Sequence, residues 1–143
     1  MDKKLWWCAA GACFLFLLVF GAGKMRGVSG EVGPPVGIFE GHGDVGTVLH
    51  AGATEYDAAQ KKYVVSGSGE NMWSNEDDFQ FAWKKISGDA QLTASIELMG
   101  KGGNAHRKAV LMMRQSLAAD AVYADVALHG DGLTSLQYRD EKG

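Results

Sequence analysis

Residues 67–89 read GSGENMWSNEDDFQFAWKKISGD. Phe79, Phe81 and Trp83 stand at alternate positions, with Gln80, Ala82 and Lys84 between them. Alternation with period two marks a strand that buries one face. The stretch therefore predicts a strand whose aromatic face meets a core and whose other face is polar. Trp73 lies upstream, just before the acidic run Glu76-Asp77-Asp78, and belongs to no such period. It reads equally as a lid on the core or as a ligand contact.

The same rhythm recurs along the chain. KKYVVSGSG (61–69) predicts a short strand ended by glycines. AQLTASIELMG (90–100) sets Leu92, Ala94, Ile96 and Leu98 against Gln91, Thr93, Ser95 and Glu97, again a strand pattern. RKAVLMMRQSL (107–117) is apolar through its middle and predicts a strand buried on both faces, and AVYADVALHG (121–130) alternates again. No stretch keeps a helical period. With 20 glycines and 2 prolines among 143 residues, short strands joined by tight turns argue for an all-β fold.

The N-terminus stands apart. MDKK is followed by the apolar run LWWCAAGACFLFLLVFGAG (5–23) and then by KMRG. A charged head, an apolar stretch and a small-residue exit predict a secretory signal. A retained anchor is the alternative, because the run is close to the ~20 residues that span a bilayer. Residues 1–23 are thus expected to stay off the domain. GVSGEVGPPVG (27–37) falls in a Gly/Pro linker over 24–37, and 38–143 form the domain. Both cysteines, Cys8 and Cys13, lie in the leader, so no disulfide framework is expected in the rest. Secretion, or anchoring by residues 5–23, places the domain outside the cytoplasm.

Several chemistries find no support. A net charge of −3 gives no basic footprint for nucleic acid. GHGDVG (41–46) matches the dinucleotide fingerprint in letters, but no strand precedes it and no helical stripe follows, so it is read as a turn. His42, His50, His106 and His129 show no metal-ligand spacing. NEDD (75–78) and HGDG (129–132) lack the regular oxygen spacing of a calcium loop. No paired acids share a strand face as a glycosidase needs, and no nucleophile elbow occurs. No enzyme, cofactor or metal site is expected.

The run VSGSGENMWSNEDDFQFAWKKISGDA, then RKAVLMMRQSL, then HGDGLTSLQYR, resembles the concanavalin A-like jelly-roll family named after the regulator of enolase protein. The resemblance is carried by Gly67, Ser68, Gly69, Trp73, Asp77, Phe79, Ser87, Gly88, Asp89, Lys108, Ala109, Leu111, Met112, Arg114, Gln137, Tyr138 and Arg139. Ala90, Val110 and Met113 depart from it. It implies an antiparallel β-sandwich, truncated at its C-terminus where the pattern stops at RDEKG. It also implies a non-catalytic carbohydrate-binding or accessory module of a secreted TolB-like protein, beside a downstream propeller domain. A structural or docking domain is the alternative, and an apolar outer face or an uncovered edge would favour it.

The turn HGDG completes the reading. A three-residue loop, Gly130-Asp131-Gly132, with Gly132 in the left-handed conformation pairs His129 with Leu133, Val126 with Leu136 and Ala124 with Tyr138. These apolar pairs are expected to face the core. Asp125 with Gln137 and Tyr123 with Arg139 then fall on the outer face, where Lys108 and Arg114 of the preceding strand can join them. Planar hydrogen-bonding groups beside an aromatic ring suit sugar hydroxyls. The candidate ligand-binding residues are Tyr123, Asp125, Gln137, Arg139, Arg114, Lys108 and Trp73.

Overall fold

The computed structural model describes residues 5–9, the first five through their backbone alone, together with 32–100 and 103–143. The described residues form nine strands and no helix. In chain order these are β1 (Leu5–Ala9), β2 (Gly41–Val45), β3 (Ala53–Asp57), β4 (Lys62–Ser66), β5 (Phe79–Trp83), β6 (Lys85–Ile86), β7 (Lys108–Arg114), β8 (Tyr123–His129) and β9 (Thr134–Arg139). They make a five-stranded sheet, β6-β1-β7-β8-β9, and two-stranded sheets β2-β5 and β3-β4. All pairings are antiparallel.

The aromatic stripe behaves as its period predicts. Phe79, Phe81 and Trp83 join Val110, Met112, Tyr123 and Ala127 in the buried core. Phe81 stacks on Trp83 at 5.7 Å and meets Phe79 edge-on at 5.5 Å, the offset and edge geometries that ring quadrupoles favour. The other face of β5 differs from expectation. Gln80 and Ala82 are buried as well, because β2 pairs along β5 and Thr54 of β3 closes over Gln80. The Gln80 amide donates to Thr54 Oγ1 at 3.1 Å.

GHGDVG is not a turn. Its first five residues are β2, running from Gly41 opposite Trp83 to Val45 opposite Phe79. Glycine is needed at 41 because a Cβ there would sit 2.8 Å from the Trp83 indole. The strand ends at Gly46, whose φ of 73° suits glycine.

Residues 90–99 also depart from expectation, lying in no strand. Leu92, Ile96 and Leu98 are half-buried while their neighbours are exposed. The alternation is therefore spent on packing without a ladder. These residues line a groove of about 600 Å³ with Phe39, Tyr63, Ala109 and Leu111.

Leu5–Ala9 differs from the expectation that residues 1–23 stay off the domain. Its backbone lies between β6 and β7, with Leu5 opposite Ile86 and Trp6–Ala9 opposite Arg114–Leu111. An unpaired edge at β7 presents a row of free N–H and C=O groups, and an apolar segment in extended form satisfies them. The rest of the expected leader, 1–4 and 10–23, lies outside the described residues, as does most of the expected linker. Within the linker's end, the Gly33 N–H donates to the His42 carbonyl at 2.6 Å.

Candidate functional site

β8 and β9 are joined by the expected turn. Gly132 has a φ of 92°, and the His129 N–H donates to the Leu133 carbonyl at 2.8 Å. The register pairs Tyr123 with Arg139, Ala124 with Tyr138, Asp125 with Gln137 and Val126 with Leu136. Pairs and turn follow the sequence, but the faces are reversed. Tyr123, Asp125 and Gln137 are buried, whereas Val126, Leu136 and Tyr138 are 58%, 73% and 69% exposed.

The inversion has a cause remote in sequence. Asp77 enters from the loop before β5 and is fully buried between two arginines. Arg114, at the end of β7, donates to Asp77 Oδ2 at 3.1 Å. Arg139, at the end of β9, donates Nη2 to Oδ1 at 2.7 Å and Nη1 to Oδ2 at 2.9 Å, a two-pronged pairing. The guanidiniums also serve carbonyls: Arg114 those of Ser116 and Ala118, Arg139 those of Ala121 and Ser74. The hydrogen bonds it donates to Asp77 hold Arg139 further toward its charged form, against its own burial. Tyr123 donates its hydroxyl to the Met72 carbonyl at 2.8 Å, and its ring lies 5.0 Å from the Arg139 guanidinium. Burial, with Asp77 and Asp125 nearby, pushes the Tyr123 phenol up to about 12, with Arg139 and Arg114 opposing. Arg114, Tyr123 and Arg139 thus tie the 72–77 loop to the ends of three strands. They do not form an outer face open to ligand, which corrects the expectation for these three.

The remaining candidates cluster beside them. Asp125 is 2% exposed, and neither carboxylate oxygen has a hydrogen-bond partner. Gln137 Oε1, across the ladder, and Ser135 Oγ also lack one. Burial raises the Asp125 carboxyl to about 7, Lys108 pulling against the rise and Asp77 adding to it. A protonated Asp125 gains a donor for the neighbouring acceptors, whereas an ionised one adds a buried charge. Asp125 and Gln137 therefore also lie inward, not on an outer face.

Lys108 and Trp73 mark the rim. Lys108 donates to Asn71 Oδ1 at 2.7 Å and sits 5.7 Å from the Trp73 ring centre, within cation–π reach. Burial lowers its ammonium, with Asp125 and Asp77 opposing. Trp73 is 67% exposed; of the seven candidates it alone presents a large open surface, and it is not a core lid. Lys108 and its partner Asn71 also line, with Asp78, Gln80 and His106, a pocket of about 70 Å³.

Sequence reasoning missed two residues. Asp77, the hub of the arginine pair, was visible as the acid four residues before Phe81, but nothing local signals that Arg114 and Arg139 reach it. Asp44 accepts from the Gly52 N–H with both oxygens, at 2.9 and 3.1 Å, and burial raises its carboxyl. Its signal was hidden inside the apparent turn GHGDVG. Among the described residues no group of three or more His, Cys, Asp or Glu is placed to hold a metal. No protein-family model, curated protein or solved structure matches the chain.

Proposed function

We propose that the chain is a non-catalytic β module that docks a second protein layer on the outer face of β7–β9. One observation carries this reading. The face is apolar, contributed by Val126, Leu136 and Tyr138, while the polar residues of the same strands are turned inward. Contiguous exposed apolar surface on a soluble protein marks a contact site. A sheet that places Asp125 and Gln137 inside and Leu136 outside has its surplus apolar face where a partner supplies the cover. On this reading the finer fold is a concanavalin A-like β-sandwich of the regulator-of-enolase type, working outside the cytoplasm as an accessory part of a TolB-like protein. The covering layer is that protein's downstream propeller domain.

The test is co-elution of the full chain with such a propeller domain supplied as a separate polypeptide. Val126→Lys with Leu136→Glu, opposite charges on a directly paired position, should abolish co-elution while changing stability by about 0.5 kcal/mol or less per site, as for surface substitutions. Undiminished co-elution would end the proposal.

Glycan binding is a second reading, favoured by the exposed Trp73 indole beside Lys108 and Asn71. An open aromatic face next to polar groups suits a sugar ring. It requires the Trp73 rim in place of the buried Tyr123 and Arg139. Binding to immobilised glycans that persists in Trp73→Ala would dismiss it.

A further inference from the structure

We propose that the slot between β6 and β7 is a strand-acceptor site. Vacated by Leu5–Ala9, it takes an extended apolar strand from another polypeptide, antiparallel to β7 and in register with Leu111–Arg114. The inference is independent of docking on the outer face, since it concerns strand edges, but it rests on the reading of residues 5–23 as a secretory signal or anchor.

Three observations converge on it. First, the slot has two walls of matching polarity. The seated segment pairs antiparallel with β7 over four residues and with β6 over its first two, so β7 supplies the long wall and β6 a short one at its start. Second, the wall behind it is core. Val110 and Met112 of β7 are fully buried and belong to the same apolar cluster as the aromatics of β5. If the slot empties, the backbone groups of Leu111–Arg114 on that side lose their partners beside an apolar core. Such an edge recruits another strand.

Third, the resident strand has a competing fate. LWWCA lies within the apolar run that reads as a secretory signal or anchor. A backbone committed to a leader or a bilayer is unavailable to a sheet. Export, cleavage or membrane insertion of the run each empties the slot. The incoming strand is defined by what it replaces: about five residues, extended, apolar, without proline, since a proline lacks the ladder donor. Main-chain bonds to β7 would supply affinity, and alternate side chains would supply selectivity.

The experiment uses the full chain carrying Cys8→Ser, Cys13→Ser and Met113→Cys, with and without Trp7→Pro to unseat the resident strand. Trp7 is the residue opposite Met113, and directly opposed positions lie about 4.5–5.5 Å apart, near enough for a disulfide to report register. The probe is the peptide Leu-Trp-Cys-Ser-Ala with its thiol pre-activated as an aryl disulfide, so that attack by the thiol introduced at position 113 expels the aryl thiolate, with a control in which proline replaces its second residue. The expected result is at least tenfold more mixed disulfide in the Trp7→Pro chain than in its parent, and none with the control peptide. Equal yields in the two chains, or equal yields with both peptides, would overturn the proposal. So would a Trp7→Pro chain that pairs with a second copy of itself and ignores the peptide. If Trp7→Pro alone unfolds the chain, the peptide must restore its near-ultraviolet circular dichroism, and failure to do so also overturns it.

Discussion

Replacing Asp77 by alanine should be among the most damaging single substitutions in the chain. The carboxylate is fully buried, as is the Arg114 side chain, and Arg139 is nearly so. Asp77→Ala strips three charge-assisted hydrogen bonds, one from Arg114 and two from Arg139. It also leaves two guanidiniums facing each other across a site without their shared anion. Breaking a buried pair from one side costs about 3–5 kcal/mol, mostly because a buried charge loses its compensation. The loss of the loop tether falls within the same figure. Asp77→Asn keeps one acceptor and the volume but not the charge, so it should cost less, roughly 2–3 kcal/mol. Urea melts followed by the fluorescence of the 4 tryptophans give these values directly. A double-mutant cycle with Arg139→Ala should show coupling of about 1–3 kcal/mol. The double variant should not return to parental stability, because Arg139 also serves the carbonyls of Ala121 and Ser74. An Asp77→Ala midpoint within about 0.5 kcal/mol of the parent, or strict additivity in the cycle, would refute the reasoning.

Asp125 should make stability fall as pH rises. Its folded pKa of about 7 lies above the ordinary carboxylate value, so unfolding releases a proton between roughly pH 4 and pH 7. The burial contributes no charge penalty below that window and its full penalty, up to about 4 kcal/mol, above it. Asp125→Asn should therefore be more stable than the parent at pH 8, with the gap closing toward pH 4; parallel pH profiles would count against it. In the core, Phe81→Ala should cost about 3–5 kcal/mol. Gln80→Ala should cost about 1–3 kcal/mol rather than the small fraction expected of a surface glutamine, since it leaves Thr54 Oγ1 without its buried partner. A Gln80→Ala melt indistinguishable from the parent would show that the second face of β5 is wet.

Sequence alone carries periods and turns well. The register of β8 and β9 follows from one loop, because Gly132 in the left-handed region admits one pairing. The aromatic stripe of β5 follows from its spacing. Which face of a strand points inward is a different kind of information. Apolar residues ordinarily settle it, and here they mislead, because Asp77 arrives from 37 residues before Arg114 and from 62 before Arg139. Two arginines and a tyrosine are inside because a distant loop supplies their partners. Gly41 shows the same limit. A glycine-rich run looks like a turn until the Trp83 ring that lies against it is known. Residues 90–99 show the converse, since alternation is necessary for a half-buried strand but does not by itself make a ladder.

The strand between β6 and β7 has a consequence in time. Leu5–Ala9 leaves the ribosome well before its partner, Leu111–Arg114, which lies roughly a hundred residues later. At ~5–20 residues per second, synthesis separates the two by about 5–20 s. Throughout that interval the apolar segment has no β7 to pair with and, if it is the secretory signal its sequence predicts, is free to be claimed by whatever binds such signals. Whether it becomes a strand or an address is then a race, decided by the rate of capture against the rate of elongation. Slowing translation before β7 should shift the outcome toward capture, without altering a single contact in the folded chain.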